Sequence, residues 1–114
     1  MRPALGARTG TGTWLAQRGT AVLLALAVPV LVVGWLAAAP AGYAEWRAFF
    51  AASPTRFATL GAGVALALHA WIGLRDIFMD YVRSLFARLA LNLLVIVGLA
   101  ASVAWLATVL WGLA

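Results

Sequence analysis

Eight arginines and three acids leave three long runs of this chain without any charge, and those runs limit what it can become. The runs are Gly19–Ala44, Phe57–Leu74 and Leu89–Ala114, of 26, 18 and 26 residues. Crossing a bilayer as a helix takes about 20 apolar residues, with a range of roughly 17–25. A backbone in hydrocarbon must satisfy its own hydrogen bonds, so runs of this kind are expected to be helical. A barrel is a poor fit, because the runs are continuously apolar and do not alternate. The spans are expected near Thr20–Ala39, Phe57–Leu74 and Leu89–Leu110, in one membrane domain covering residues 1–114.

Composition agrees with this. Of 114 residues, 66% are hydrophobic and 10% charged, and the mean hydropathy is +1.03. A soluble domain of this size would need far more polar surface. With no cysteine, the chain offers no disulfide, thiolate metal site, iron–sulfur ligand or thioether-linked haem. The net charge of +5 raises the question of nucleic acid, but the arginine positions answer it. Arg2, Arg8 and Arg18 precede the first run, and Arg75, Arg83 and Arg88 lie between the second and third. Only Arg47 and Arg56 fall on the other side. Six against two places the N-terminus in the cytoplasm and the C-terminus outside. A nucleic-acid patch would instead lie along one face.

The first span is longer than a typical signal-peptide core, although Ala37-Ala38-Ala39 resembles a cleavage site; two later spans favour retention. The basic N-terminal segment reads as a bacterial cytoplasmic tail. The first connection, Pro40–Arg56, carries Tyr43, Trp46, Phe49 and Phe50 near helical spacing. It is expected to form a short amphipathic helix in the outer interface. A plain loop with belt aromatics is the alternative. Pro29 falls inside the first span, where membrane helices tolerate a kink. No phosphate-binding, nucleophile-elbow or zinc-protease motif is present.

His69 is the lone histidine, six residues before Arg75. That spacing puts it roughly 9 Å inside the cytoplasmic end of the second span. An ionisable group at such depth is a functional candidate by default. Three roles compete: ligation of haem iron, proton binding or relay, and a hydrogen bond across a helix interface. Gly61, Ala65, His69 and Gly73 recur every four residues. Such a stripe of small side chains admits either another helix or a flat macrocycle. One histidine supplies one axial ligand, so a bis-histidine haem needs its second ligand from another chain or copy. Three short helices also cannot enclose a macrocycle alone, which points to an obligate complex.

The stretch His69-Ala70-Trp71-Ile72-Gly73-Leu74, followed by Asp80-Tyr81-Val82, resembles the small hydrophobic membrane anchors, of the D type, of bacterial succinate dehydrogenase. The marks are His-x-x-Gly and an Asp-Tyr pair whose tyrosine lies twelve residues past the histidine. Arg18-Gly19-Thr20-Ala21 also resembles the start of that family, and the likeness in length and topology covers nearly the whole chain. The resemblance implies an all-α membrane protein of three transmembrane helices in the bacterial inner membrane, not catalytic alone. It implies a complex with a flavoprotein subunit that oxidises succinate, an iron–sulfur subunit, and a second, C-type anchor. It implies haem b held between the two anchors and a ubiquinone site in the membrane. By motif match His69 is the axial ligand to the haem iron, with the other histidine on the partner anchor. Tyr81 hydrogen-bonds a quinone carbonyl, Asp80 stands at the edge of that site, and Arg18 lies near the haem propionates.

The segment Gly10-Thr11-Gly12-Thr13-Trp14 departs from relatives that carry another histidine near the cytoplasmic entrance. Physical chemistry allows the tyrosine assignment, because a quinone carbonyl gaining electron density needs a positioned donor and a phenol supplies one. A belt tyrosine is the alternative for Tyr81, and a headgroup-level pair with Arg83 for Asp80. Asp76 and Arg75 read as interfacial anchors, and Trp71 as packing or belt. Asn92 reads as interhelical glue, and Gly98 with Ser102 as a close packing face. Two other functions remain open. One is a cofactor-free packing or assembly subunit of a transporter or respiratory complex, in which His69 only bridges helices. The other is the related fumarate reductase anchor.

Overall fold

The computed structural model describes residues 2–113, with side chains from residue 12 onward. Arg2 and Arg8, two of the arginines counted for orientation, have side chains outside the described residues. Four helices follow one another: α1 (Arg2–Ala38), α2 (Tyr43–Ala51), α3 (Ser53–Tyr81) and α4 (Leu85–Leu113). Three stretches are long and apolar enough to cross a membrane: Gly12–Ala38, Ser53–Tyr81 and Leu85–Leu113. The described chain is thus all-helical, with three candidate spans and a short helix between the first two.

The helices overrun the charge-free runs. Arg18 lies inside α1, Arg56 and Arg75 inside α3, and Arg88 inside α4. A charge ends the stretch suited to hydrocarbon; it does not interrupt the backbone ladder, and a long arginine stem lets the head reach water. Asp80 and Tyr81 therefore stand on the last turn of α3, not in a loop. Pro29 sits within α1 and the helix continues past it. Lacking an N–H, it offers no donor to the Ala25 carbonyl.

The connections are short and chemically specified. Ala39 ends α1 with φ of 45°, a left-handed conformation rare outside glycine. Its N–H reaches back to the Trp35 carbonyl at 3.1 Å, and Pro40 cannot continue the helix. Ser84 caps α4: its Oγ accepts from the Ala87 N–H at 3.3 Å, and its carbonyl accepts from Arg88 N–H at 3.0 Å.

α3 lies between α1 and α4, antiparallel to both, and α2 rests against α3 and α4. Ring contacts fix the order at one end: Phe57, early in α3, meets Trp111, late in α4, with centroids 5.4 Å apart. The enclosed residues are small or few. Ala62, Ala65 and Ile72 are buried on α3, and Leu110 on α4. Hydrocarbon gives apolar helices no hydrophobic reason to associate, so close backbone approach matters more. Gly63 marks that approach: a Cβ added there would collide with a methyl of Leu106. Gly98 has nothing within 4 Å of a Cβ position, and Ser102 is exposed, so this pair is no packing face within the chain. The glycine that brings α3 against α4 is Gly63, in a four-residue repeat with Thr59 and Ala67 that the sequence reading did not single out. Elsewhere the outer faces stay apolar: Val30 and Leu94 are each 69% exposed and Trp105 73%.

Because the colliding group at Gly63 is the free end of a leucine, alanine there should be nearly neutral. A branched residue has no such escape. Gly63→Ile should separate α3 from α4 and cost roughly 1–3 kcal/mol. Measuring thermal unfolding of both variants in the same detergent checks this, and equal stability would remove Gly63 from the contact.

Candidate functional site

His69 is half-buried on the face of α3 that meets α1. Its Nδ1 lies 3.1 Å from Thr20 Oγ1. Thr20 Oγ1 also lies 2.7 Å from the Ala16 carbonyl and 3.1 Å from that of Gln17. Gln17, one turn before Thr20 on α1, packs beside Gly73: its Nε2 stands 3.9 Å from where a Cβ would sit. Gln17 Oε1 is enclosed there without a hydrogen-bond partner among the described residues. The stripe of small residues is therefore used by a helix along part of its length. Ala65 is 5% exposed and Gly73 meets α1, while Gly61 faces open space.

The far nitrogen of the ring differs. His69 Nε2 has no hydrogen-bond partner among the described residues, and it is not among the polar atoms they enclose. Among the described residues, no group of three His, Cys, Asp or Glu side chains could hold a bare metal ion. A metal that arrives with most of its own donors asks less of the protein, and one open imidazole nitrogen meets that demand.

A groove lies elsewhere. About 580 Å³ opens between α3 and α4, lined by Val64, Leu68, Trp71, Ile96, Leu99 and Val103 among others. Trp71 follows His69 by two residues, so its side chain leaves α3 about 200° around the axis. The imidazole and the groove face different neighbours. The Arg75 guanidinium stands 5.7 Å from the Trp71 ring centre. Trp71 Nε1 is enclosed without a partner among the described residues. Asn92 Oδ1 is also enclosed and has no partner among the described residues, which do not fill the expected bridging role of Asn92.

The other sequence candidates do not converge on His69. Tyr81 is 80% exposed, and twelve residues of helix put it about 18 Å further along α3. Asp80 is exposed and lies three turns from His69 on the same face of α3. It forms no ion pair with Arg83. Arg18 is exposed, its guanidinium 5.2 Å over the Trp14 ring rather than in the α1–α3 seam.

Both arginines at the opposite end engage α4. Arg47 Nε donates to the Leu113 carbonyl at 3.2 Å, which serves an unpaired group at the negative end of the helix dipole. The Arg56 guanidinium lies 4.8 Å over the Trp111 ring. Thr20 and Gly63 are the residues that sequence reasoning passed over as contact makers. A hydroxyl at the start of an apolar run was the available signal for Thr20.

These features define a class: a multi-pass helical membrane protein whose inward polar chemistry centres on one imidazole in a helix seam. Residues 2–110 match the family of succinate dehydrogenase/fumarate reductase transmembrane subunits. The succinate dehydrogenase hydrophobic membrane anchor subunit of Coxiella burnetii is 36% identical over 104 residues, covering 91% of this chain and 90% of that protein. The chain belongs to the succinate dehydrogenase/fumarate reductase transmembrane subunit family.

Proposed function

We propose that this chain is the D-type anchor of a bacterial succinate dehydrogenase, that it donates one axial ligand to haem b, and that it forms part of a ubiquinone-reduction site. The observation that carries the reading is His69 Nε2, which has no hydrogen-bond partner among the described residues, in a chain of this family. A lone imidazole with one nitrogen engaged and the other open fits a porphyrin, which brings four donors itself. Haem bound there supplies a one-electron carrier within the membrane. The second ligand comes from a C-type anchor, and the apolar outer faces of α1, α3 and α4 are the surfaces that partner and lipid would cover.

The positive-inside rule orients the assembly with the N-terminus cytoplasmic and the C-terminus periplasmic, in the inner membrane. The α3–α4 turn then faces the cytoplasm, on the side where the iron–sulfur and flavoprotein subunits dock. α2 lies in the outer interface, with the Trp46 and Phe50 rings tilted at 48° and their centroids 4.6 Å apart. Tyr81, on the last turn of α3, donates its phenolic proton to a quinone carbonyl oxygen, and Asp80 beside it orients that donor. Arg18 reaches a haem propionate by leaving Trp14. The chain has no succinate chemistry of its own and is not catalytic alone.

One observation favours a cofactor-free packing subunit: His69 does bridge α1 and α3 through Thr20. That bridge consumes only Nδ1. The two readings part on the reduced-minus-oxidised spectrum of the purified complex, where a b-type haem band supports the first and its absence the second.

His69→Ala should weaken haem retention and leave membrane insertion intact. Haem content per assembled complex checks this, and an unchanged spectrum would refute the ligand. Tyr81→Phe should preserve assembly and haem while slowing quinone reduction, by about 10²-fold if the donor acts in the transition state. Quinone kinetics at wild-type level would take Tyr81 out of the site.

A further inference from the structure

We infer that Thr20 is a positioning residue for His69, fixing the imidazole as the Nδ1–H tautomer and so presenting the Nε2 lone pair outward to the iron. The inference rests on the proposed role of His69 as an axial ligand. It follows from proton counting. Thr20 Oγ1 carries one proton and has three neighbours: the Ala16 carbonyl at 2.7 Å, the Gln17 carbonyl at 3.1 Å and His69 Nδ1 at 3.1 Å. Carbonyl oxygens only accept, and the Ala16 contact is the shortest of the three, which assigns the hydroxyl proton to the α1 backbone. With that proton spent, Oγ1 faces Nδ1 as an acceptor, and a hydrogen bond there requires the proton on Nδ1. A neutral imidazole protonated at Nδ1 has its lone pair on Nε2, the nitrogen with no partner among the described residues.

The arrangement does more than choose a tautomer. An N–H donated to a fixed acceptor orients the ring and makes the opposite nitrogen a stronger donor to a metal. The acceptor is rigidly held, because a threonine in a helix has few rotamers and this one is tied to its own backbone. A stronger nitrogen donor favours ferric over ferrous iron and lowers the potential of a bound haem.

The test uses the assembled complex carrying Thr20→Val, Thr20→Ala or Thr20→Ser, with His69→Ala alongside. Haem per complex and the haem midpoint potential are read by optical redox titration. Thr20→Val and Thr20→Ala should lose roughly tenfold in ferric-over-ferrous preference, an upward shift of about 59 mV for a one-electron couple. Thr20→Ser should restore the wild-type potential. If valine and alanine block haem incorporation, recovery of haem and potential by serine alone carries the same conclusion. Wild-type potentials in valine and alanine, beside loss of haem in His69→Ala, would overturn the role of Thr20 and leave the ligand standing. A serine variant as displaced as valine would also overturn it. Unchanged haem in His69→Ala would instead remove the ligand reading, and this inference with it.

Discussion

A polar group without a partner in hydrocarbon costs several kcal/mol, and that penalty shapes the backbone and the hydroxyls of this chain. It makes the spans helical. It also explains the hydroxyls, which turn back on their own helices: Thr59 donates to the Thr55 carbonyl at 2.7 Å, Ser102 to Gly98 at 2.8 Å and Thr108 to Trp105 at 2.7 Å. Thr20 obeys the same rule and then has a lone pair left over. His69 uses it. A general requirement of the membrane thus becomes a specific contact between two spans.

α3 is the organising helix because its two flanks differ. Toward α1 it presents Ala65, His69 and Gly73, and toward α4 it presents Gly63. Small residues on both flanks let a single helix be approached twice. Few side chains end up enclosed, and large apolar residues such as Leu94 and Trp105 point outward. The fold by itself resembles one part of a larger bundle, which agrees with membership in a family of membrane subunits of a multi-subunit dehydrogenase.

Along α3 the proposed chemistry falls at two depths. The imidazole sits in the seam with α1, while Asp80 and Tyr81 stand exposed on the last turn. One helix carrying both keeps their spacing constant, since a helix of about 1.5 Å per residue is stiff over this length. The groove between α3 and α4 belongs to neither. At the opposite end, Arg47 and Arg56 hold the end of α4 through Leu113 and Trp111, so arginines that count toward topology also pin a helix terminus.

The sequence by itself determined that the chain is helical, how many long apolar stretches it has, and which side chain is the odd one among them. Those conclusions rest on local quantities: run length, charge and the cost of burying an imidazole. Family membership was also legible there, in His69, Gly73, Asp80 and Tyr81. Helix ends were less so, because charge marks the hydrocarbon limit and the backbone ladder runs past it, as at Tyr81. Only the tertiary structure decided which neighbour each face of α3 meets. Gly98 and Ser102 had the spacing of a packing face and face outward, while Gly63, with the same spacing to Ala67, is the one that meets Leu106 of α4. Thr20 and His69 lie 49 residues apart, and no local pattern pairs them. The pairing exists because antiparallel packing of α1 on α3 brings a spare lone pair and a ring N–H to the same depth.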